Sequence, residues 1–143
     1  MKRIVILSPV LFLLYVSCSK NSYTTKPQIS IESINTTIAH DGQLNAMLKF
    51  TDKQGDLGGG TFTAIIVSLN QQPPINALID TLPETVPSFP NHSLGEFQYT
   101  LDASRLEQHT TQNDTLKMRF CVVDRAGNAS DTITSPLIVV LNP

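Results

Sequence analysis

Leu44, Ala46, Leu48 and Phe50 alternate with Asn45, Met47, Lys49 and Thr51. A period of two puts successive side chains on opposite faces of an extended strand, so one face enters a core while the other meets water. The same period recurs along most of the chain. Gln28 to Ile34 carries Ile29 and Ile31 on one face. Glu96 to Asp102 turns Phe97, Tyr99 and Leu101 inward, and Leu116 to Val123 does the same with Leu116, Met118, Phe120 and Val122. Thr61 to Leu69 is β-branched, aromatic and apolar on both faces, which predicts a strand flanked on both sides. Asp131 to Thr134 and Leu137 to Leu141 form the last strand, with Pro136 at a bulge or edge. No long helical period competes with this pattern.

About seven short strands separated by turn signals predict an all-β fold, an antiparallel immunoglobulin-like β-sandwich. One short helix is expected near 104–109, where Ser104 and Glu107 have the spacing of a capping box. Residues 73–90 hold five of the nine prolines. Proline removes a ladder donor, so this segment reads as a loop with at most a short edge strand around 75–82, either guarding a sheet edge or binding a ligand.

The first residues carry a different message. Lys2 and Arg3 precede an apolar run from Ile4 to Val16, and Cys18 follows small Ser17. The run is shorter than the roughly 20 residues that span a bilayer, and it fits the apolar part of a secretory signal. Leu14-Tyr15-Val16-Ser17-Cys18 resembles the lipobox of bacterial lipoproteins, with Tyr15 in place of the usual aliphatic residue. The resemblance implies a signal peptide over 1–17 and acylation of Cys18. Residues 18–26, polar throughout, then form a flexible tether, and 27–143 form the domain. Several acyl chains on one residue anchor stably where a single chain does not. The net charge of −2 over 143 residues, with no basic cluster, gives no footprint for nucleic acid. With Cys18 acylated, Cys121 is a lone thiol, small and set in a strand.

Two loops interrupt the strands with chemically suggestive residues. FTDKQGDLGGG, Phe50 to Gly60, places oxygens at Asp52, Gln54 and Asp56 and then packs glycines. A phosphate loop would need Lys where Thr61 stands. A helix-loop-helix calcium loop would need Gly and Glu where Leu57 and Thr63 stand. Two readings remain: a weak calcium site at Asp52, Gln54 and Asp56, or a glycine turn whose aspartates bond backbone N–H groups. The second loop is Asp124-Arg125-Ala126-Gly127-Asn128. Gly127 and Asn128 suit a tight hairpin, while Arg125 and Asn128 are the side chains placed for loop contacts. His40, His92 and His109 are far apart, and no nucleophile elbow or zinc spacing is present. The expectation is therefore a non-enzyme with no cofactor beyond weak calcium.

Phe50-Thr51-Asp52 with Gly55-Asp56-Leu57-Gly58, and Met118 to Val140 with its DRAGN core, resemble two segments of small lipoproteins common in Bacteroidetes. Gln54 stands where an Asp is common there. The resemblance implies an immunoglobulin-like or fibronectin-like sandwich, mostly without assigned activity. It also implies that a tether without acidic residues after Cys18 faces the periplasm from the outer membrane. Thr81, Thr115 and Thr132 each sit in the Asp-Thr-apolar signature of O-glycosylation in such proteins. The expected role is a lipid-anchored envelope module that binds a protein or glycan partner, or else a structural spacer with no ligand of its own; a weak metal-dependent hydrolase is the third reading.

Overall fold

Leu44, Ala46, Leu48 and Phe50 are all fully buried, as their alternation requires. They line one face of a strand in a computed structural model that describes residues 25–70, 80–88, 93–107, 109 and 111–142. Among the described residues the chain forms β1 (Gln28–Ile34), β2 (Thr37–Ile38), β3 (Gln43–Thr51), β4 (Thr61–Ser68), β5 (Asp80–Thr85), β6 (Leu94–Asp102), β7 (Asp114–Val123), β8 (Ile133–Thr134) and β9 (Ile138–Val140). They assemble into two sheets that form a β-sandwich. The smaller has the order β1-β3-β6, the larger β2-β9-β7-β4-β5, with β8 also paired to β7.

The pairs are antiparallel except β2 with β9, where Thr37 and Ile38 run parallel to Val139 and Val140. β4 is flanked by β5 and β7, and its second face (Thr63, Ile65, Val67) is half-buried. β1 shows why register matters. Its pairing with β3 slips between Ile31 and Ser33, so that Ile31 faces Leu48 and Ile34 faces Ala46. The extra residue is a bulge that returns Ile34 to the core side, which strict alternation would deny it.

The sheets are joined by aromatic rings. Phe62 of the larger sheet lies 5.3 Å from Phe97 and 5.2 Å from Tyr99, both of the smaller sheet, and 5.8 Å from Phe120 beside it. The Phe62–Phe97 contact is edge-to-face, an arrangement that ring quadrupoles favour. Phe50 adds to this layer at 6.3 Å from Phe97. Gly95 makes room for it, since a Cβ there would sit 2.9 Å from the Phe50 ring.

Several local expectations are corrected. The helix expected near 104–109 is a single 3-10 turn at Ala103–Arg105. No capping box forms: Asp102 is the N-cap and makes no side-chain cap, because its carboxylate accepts from Gln43 Nε2 at 2.8 Å. Glu107 turns instead to His40 Nδ1, 2.9 Å away. Local capping loses here to cross-strand partners. The last strand is two short pieces, broken at Ser135, whose hydroxyl accepts from the Met118 amide at 2.9 Å. The edge strand of the proline-rich segment is β5, which runs on to Thr85; the expected residues 75–79 lie outside the described residues. Pro83 is tolerated there because β4 is its sole partner strand among the described residues.

The register defines two poles. Gln28, Thr51, Thr61, Thr85, Leu94 and Val123 gather at one; Gln43, Ser68, Asp102 and Asp114 gather at the other. Phe62→Ala removes the ring that touches both sheets and is expected to cost roughly 3–5 kcal/mol in denaturant unfolding, while Leu94→Ala at an exposed strand end changes stability by less than about 0.5 kcal/mol.

Candidate functional site

Asp52 is where β3 stops. Its side chain is 2% exposed, and both carboxylate oxygens turn back on the following backbone. Oδ1 accepts from the Gln54 amide at 3.1 Å; Oδ2 accepts from the amides of Asp56 and Leu57, each at 2.9 Å. Charged acceptors make the stronger class of hydrogen bond. Gly55 turns at φ 69°, and Leu57 plugs the core with no exposure. The loop closes onto β5 through Gly59 N–H to Val86 O at 3.1 Å and Val86 N–H to Gly60 O at 2.9 Å. Gly60 answers to a close approach: a Cβ there would lie 2.2 Å from the Val123 carbonyl oxygen.

That approach brings in the second loop. Asp124, 4% exposed, accepts from the Asn128 amide at 2.8 Å and from Asn128 Nδ2 at 2.9 Å. Gly127, at φ 89°, completes the hairpin expected from the sequence. Arg125 donates to the Asp56 carbonyl from its backbone amide and from Nε, each at 3.3 Å. Asn128 Nδ2 also reaches Gln54 Oε1 at 3.4 Å. Arg125 and Asn128 thus make loop contacts within the molecule.

The outcome is a cluster in which carboxylate oxygens of Asp52, Asp56 and Asp124 lie within 4.8 Å of one another. Two of its members, Asp52 and Asp56, belong to the set expected from the sequence. Gln54 Oε1 accepts from Asn128, and Asp124, read from the sequence only as a turn former, joins Asp52 and Asp56. No local spacing reveals that partnership, because the two segments lie some seventy positions apart. The clue that existed was the joint presence of the two motifs. Asp56 carries the strain. Burial, then the charges of Asp124 and Asp52, then a hydrogen bond from its protonated form to Asp52 hold its carboxyl above the ordinary 3.8, against a smaller lowering by a backbone hydrogen bond. Its Oδ1 is buried and has no hydrogen-bond partner among the described residues. Such a cluster can share a proton or hold a hard cation, whereas Asp52 and Asp124 already serve the backbone.

Other singled-out residues lie elsewhere. Thr81 is exposed on β5, Thr132 is exposed just before β8, and Thr115 is half-buried in β7 with its amide held by Asn70 Oδ1 at 2.7 Å. His109 pairs with Asp114 at the opposite pole, and His40 with Glu107. Cys121 is half-buried in β7. Cys18 and His92 fall outside the described residues. Surface concavities of about 210 and 280 Å³ run along β1 and are lined by Gln28, Ile29, Lys49 and Phe50 and by Gln28, Ile29, Asp131 and Ile133; neither is lined by Asp52, Asp56 or Asp124.

No family model and no curated protein matches the chain. Distant similarity to solved structures exists. A β-glucosidase from Listeria innocua in complex with glucose is 8% identical with a TM-score of 0.45, over 83% of this chain; the match spans only 16% of that enzyme's length. A cohesin module from a Clostridium perfringens family 33 glycoside hydrolase is 11% identical with a TM-score of 0.40, over 84% of this chain and all of the module. The sporulation control protein Spo0M from Bacillus subtilis is 10% identical with a TM-score of 0.43, over 82% of this chain and 49% of that one.

Asp52→Ala strands three backbone donors and is expected to cost roughly 3–5 kcal/mol in equilibrium unfolding. Gly60→Ala forces the two loops apart and costs roughly 1–3 kcal/mol. Equal stability of either variant and the parent would contradict the tie between the loops.

Proposed function

We propose that the chain is a non-catalytic, lipid-anchored module of the outer membrane, facing the periplasm, which holds a protein or glycan partner. The observation that carries this reading is how the motif carboxylates are used. Asp52 and Asp124 are buried acceptors of backbone N–H groups, so the two motif segments fix the form of one pole. Groups committed in this way are poor general bases, which need a free oxygen within reach of a substrate proton. A rigid sandwich with shaped loops is a common carrier of binding surfaces. The anchor reading draws on the lipobox-like segment ending at Cys18. Metabolic labelling with a fatty acid tests it: the wild type takes up label and sediments with membranes, while Cys18→Ser does neither. Crosslinking in intact envelopes then tests the partner. A specific adduct supports binding, and its absence favours the spacer role.

A specific observation favours adding weak calcium to this reading. Asp124 supplies a third carboxylate, and Asp56 Oδ1 has no hydrogen-bond partner among the described residues. A hard divalent ion prefers clustered carboxylate oxygens, and so few charges suit millimolar affinity. The sign of the pH effect follows from the raised Asp56 value. Between the ordinary carboxylate value and the raised one, the native state keeps a proton that the unfolded chain has released, so stability falls as pH climbs through that window. Asp56→Asn removes the charge and supplies an amide donor toward Asp52. It is expected to raise the melting midpoint by a few degrees at neutral pH, with the gain shrinking as pH falls to the ordinary carboxylate range. Millimolar calcium raises the midpoint of the wild type and leaves Asp56→Asn unmoved. A wild type indifferent to calcium removes the calcium reading and leaves the module reading intact.

A further inference from the structure

The chain enters the sandwich at a defined place. Gln28, the first residue of β1, pairs with Thr51, directly before Asp52. Lys26 bonds Asp131 beside β8, so the entry point is tied to the same pole by a second contact. Ten Cα-to-Cα steps lead from the proposed anchor at Cys18 to Gln28, the first residue of β1. Fully extended they reach at most about 35 Å. The nine-residue strand β3 is itself about 30 Å long at some 3.3 Å per residue. To turn the opposite pole toward the lipid, the tether would have to run the length of the sandwich, using most of its reach. The entry pole needs no such extension.

We propose that the pole formed by the Asp52–Gly60 and Asp124–Asn128 loops is the membrane-facing surface of the molecule, and that its partner is the phospholipid headgroup layer. The inference rests on the anchor at Cys18 proposed above. The surface chemistry of the pole suits headgroup phosphates. Lys53 and Arg125 are exposed on it, as is Lys26 with its partner Asp131, while Asp52 and Asp124 are buried beneath. Basic side chains held within a Debye length of an anionic leaflet are attracted to it. Leu94, the most exposed large hydrophobic side chain among the described residues at 65%, pairs with Thr51 at this pole. An apolar side chain among basic ones fits the boundary between headgroups and acyl chains. The opposite pole, with the Ala103–Arg105 turn and the His109–Asp114 pair, then points away from the lipid, toward any partner.

The test uses the full acylated chain in vesicles of phosphatidylethanolamine and phosphatidylglycerol. In a Cys121→Ser background, a fluorophore is placed at Leu94→Cys or at Leu69→Cys, two exposed leucines at opposite poles. Lipids bearing a nitroxide at the headgroup quench the label at 94 several-fold more than the label at 69. Lys26→Glu with Lys53→Glu narrows that difference while the chain still floats with the vesicles. Equal quenching in floated vesicles means that the domain tumbles on its tether, and stronger quenching at 69 means that it stands inverted; either result overturns the orientation and leaves the anchor standing. A chain that carries no acyl group and does not float removes the anchor, and the orientation with it.

Discussion

The buried carboxylate of Asp52 controls the passage of the chain from one sheet to the other. β3 belongs to the smaller sheet and β4 to the larger, and the residues between them make the crossover. A crossover at the end of a sandwich leaves amides without ladder partners, and each such group is costly when buried. Asp52 collects three of them on one side chain, two on a single oxygen. Leu57 can then enter the core, and Gly60 can approach β7 closely enough for β4 to begin in register with it. Without that acceptor the turn would open, and Phe62, two residues beyond Gly60, would lose the fixed approach that sets it against Phe97 and Tyr99.

The same economy creates an electrostatic difficulty. The crossover is tight enough to press against the Asp124 hairpin, and both loops use aspartate as their organiser. Two buried acceptors of one sign therefore stand near a third carboxylate, Asp56, which has no backbone task of its own for one of its oxygens. Burial, and then repulsion from Asp124 and Asp52, hold the carboxyl of Asp56 above the ordinary carboxylate range. Architecture and ion chemistry are thus not rival readings of the motif. The first generates the geometry in which the second becomes available.

What the sequence disclosed follows from the range of each interaction. The alternation in β3, β6 and β7 is a local periodicity imposed by a two-faced environment, and it was legible residue by residue. So were the hairpin at Gly127 and the turn-forming part played by Asp52, because an aspartate bonding amides two to five positions on is a local event. β2 was not legible, since two residues carry no period and their parallel pairing with β9 spans most of the chain. The expected capping box failed for a related reason. Ser104 and Glu107 have the correct spacing, yet His40 competes for Glu107 and Gln43 for Asp102, and neither competitor is near in sequence. The Asp124 contribution to the carboxylate cluster belongs to this class: the residue was visible, its neighbours were not.

Long-range pairing also decides which end of the molecule a tether can reach. β1 is an edge strand of the smaller sheet, paired with β3 alone among the described residues, and it runs antiparallel to it. Antiparallel pairing forces the beginning of β1 to lie beside the end of β3, and the end of β3 is where Asp52 must act. An N-terminal tether on such a fold therefore emerges beside the crossover loop whatever the composition of the loop. Placing the two motif loops and the entry of the chain at one pole is thus a consequence of strand order, and it requires no contact between tether and motif. The bulge in β1 is consistent with this division: it adjusts the far end of the strand, around Ser33, and leaves the pairing of Gln28 with Thr51 undisturbed.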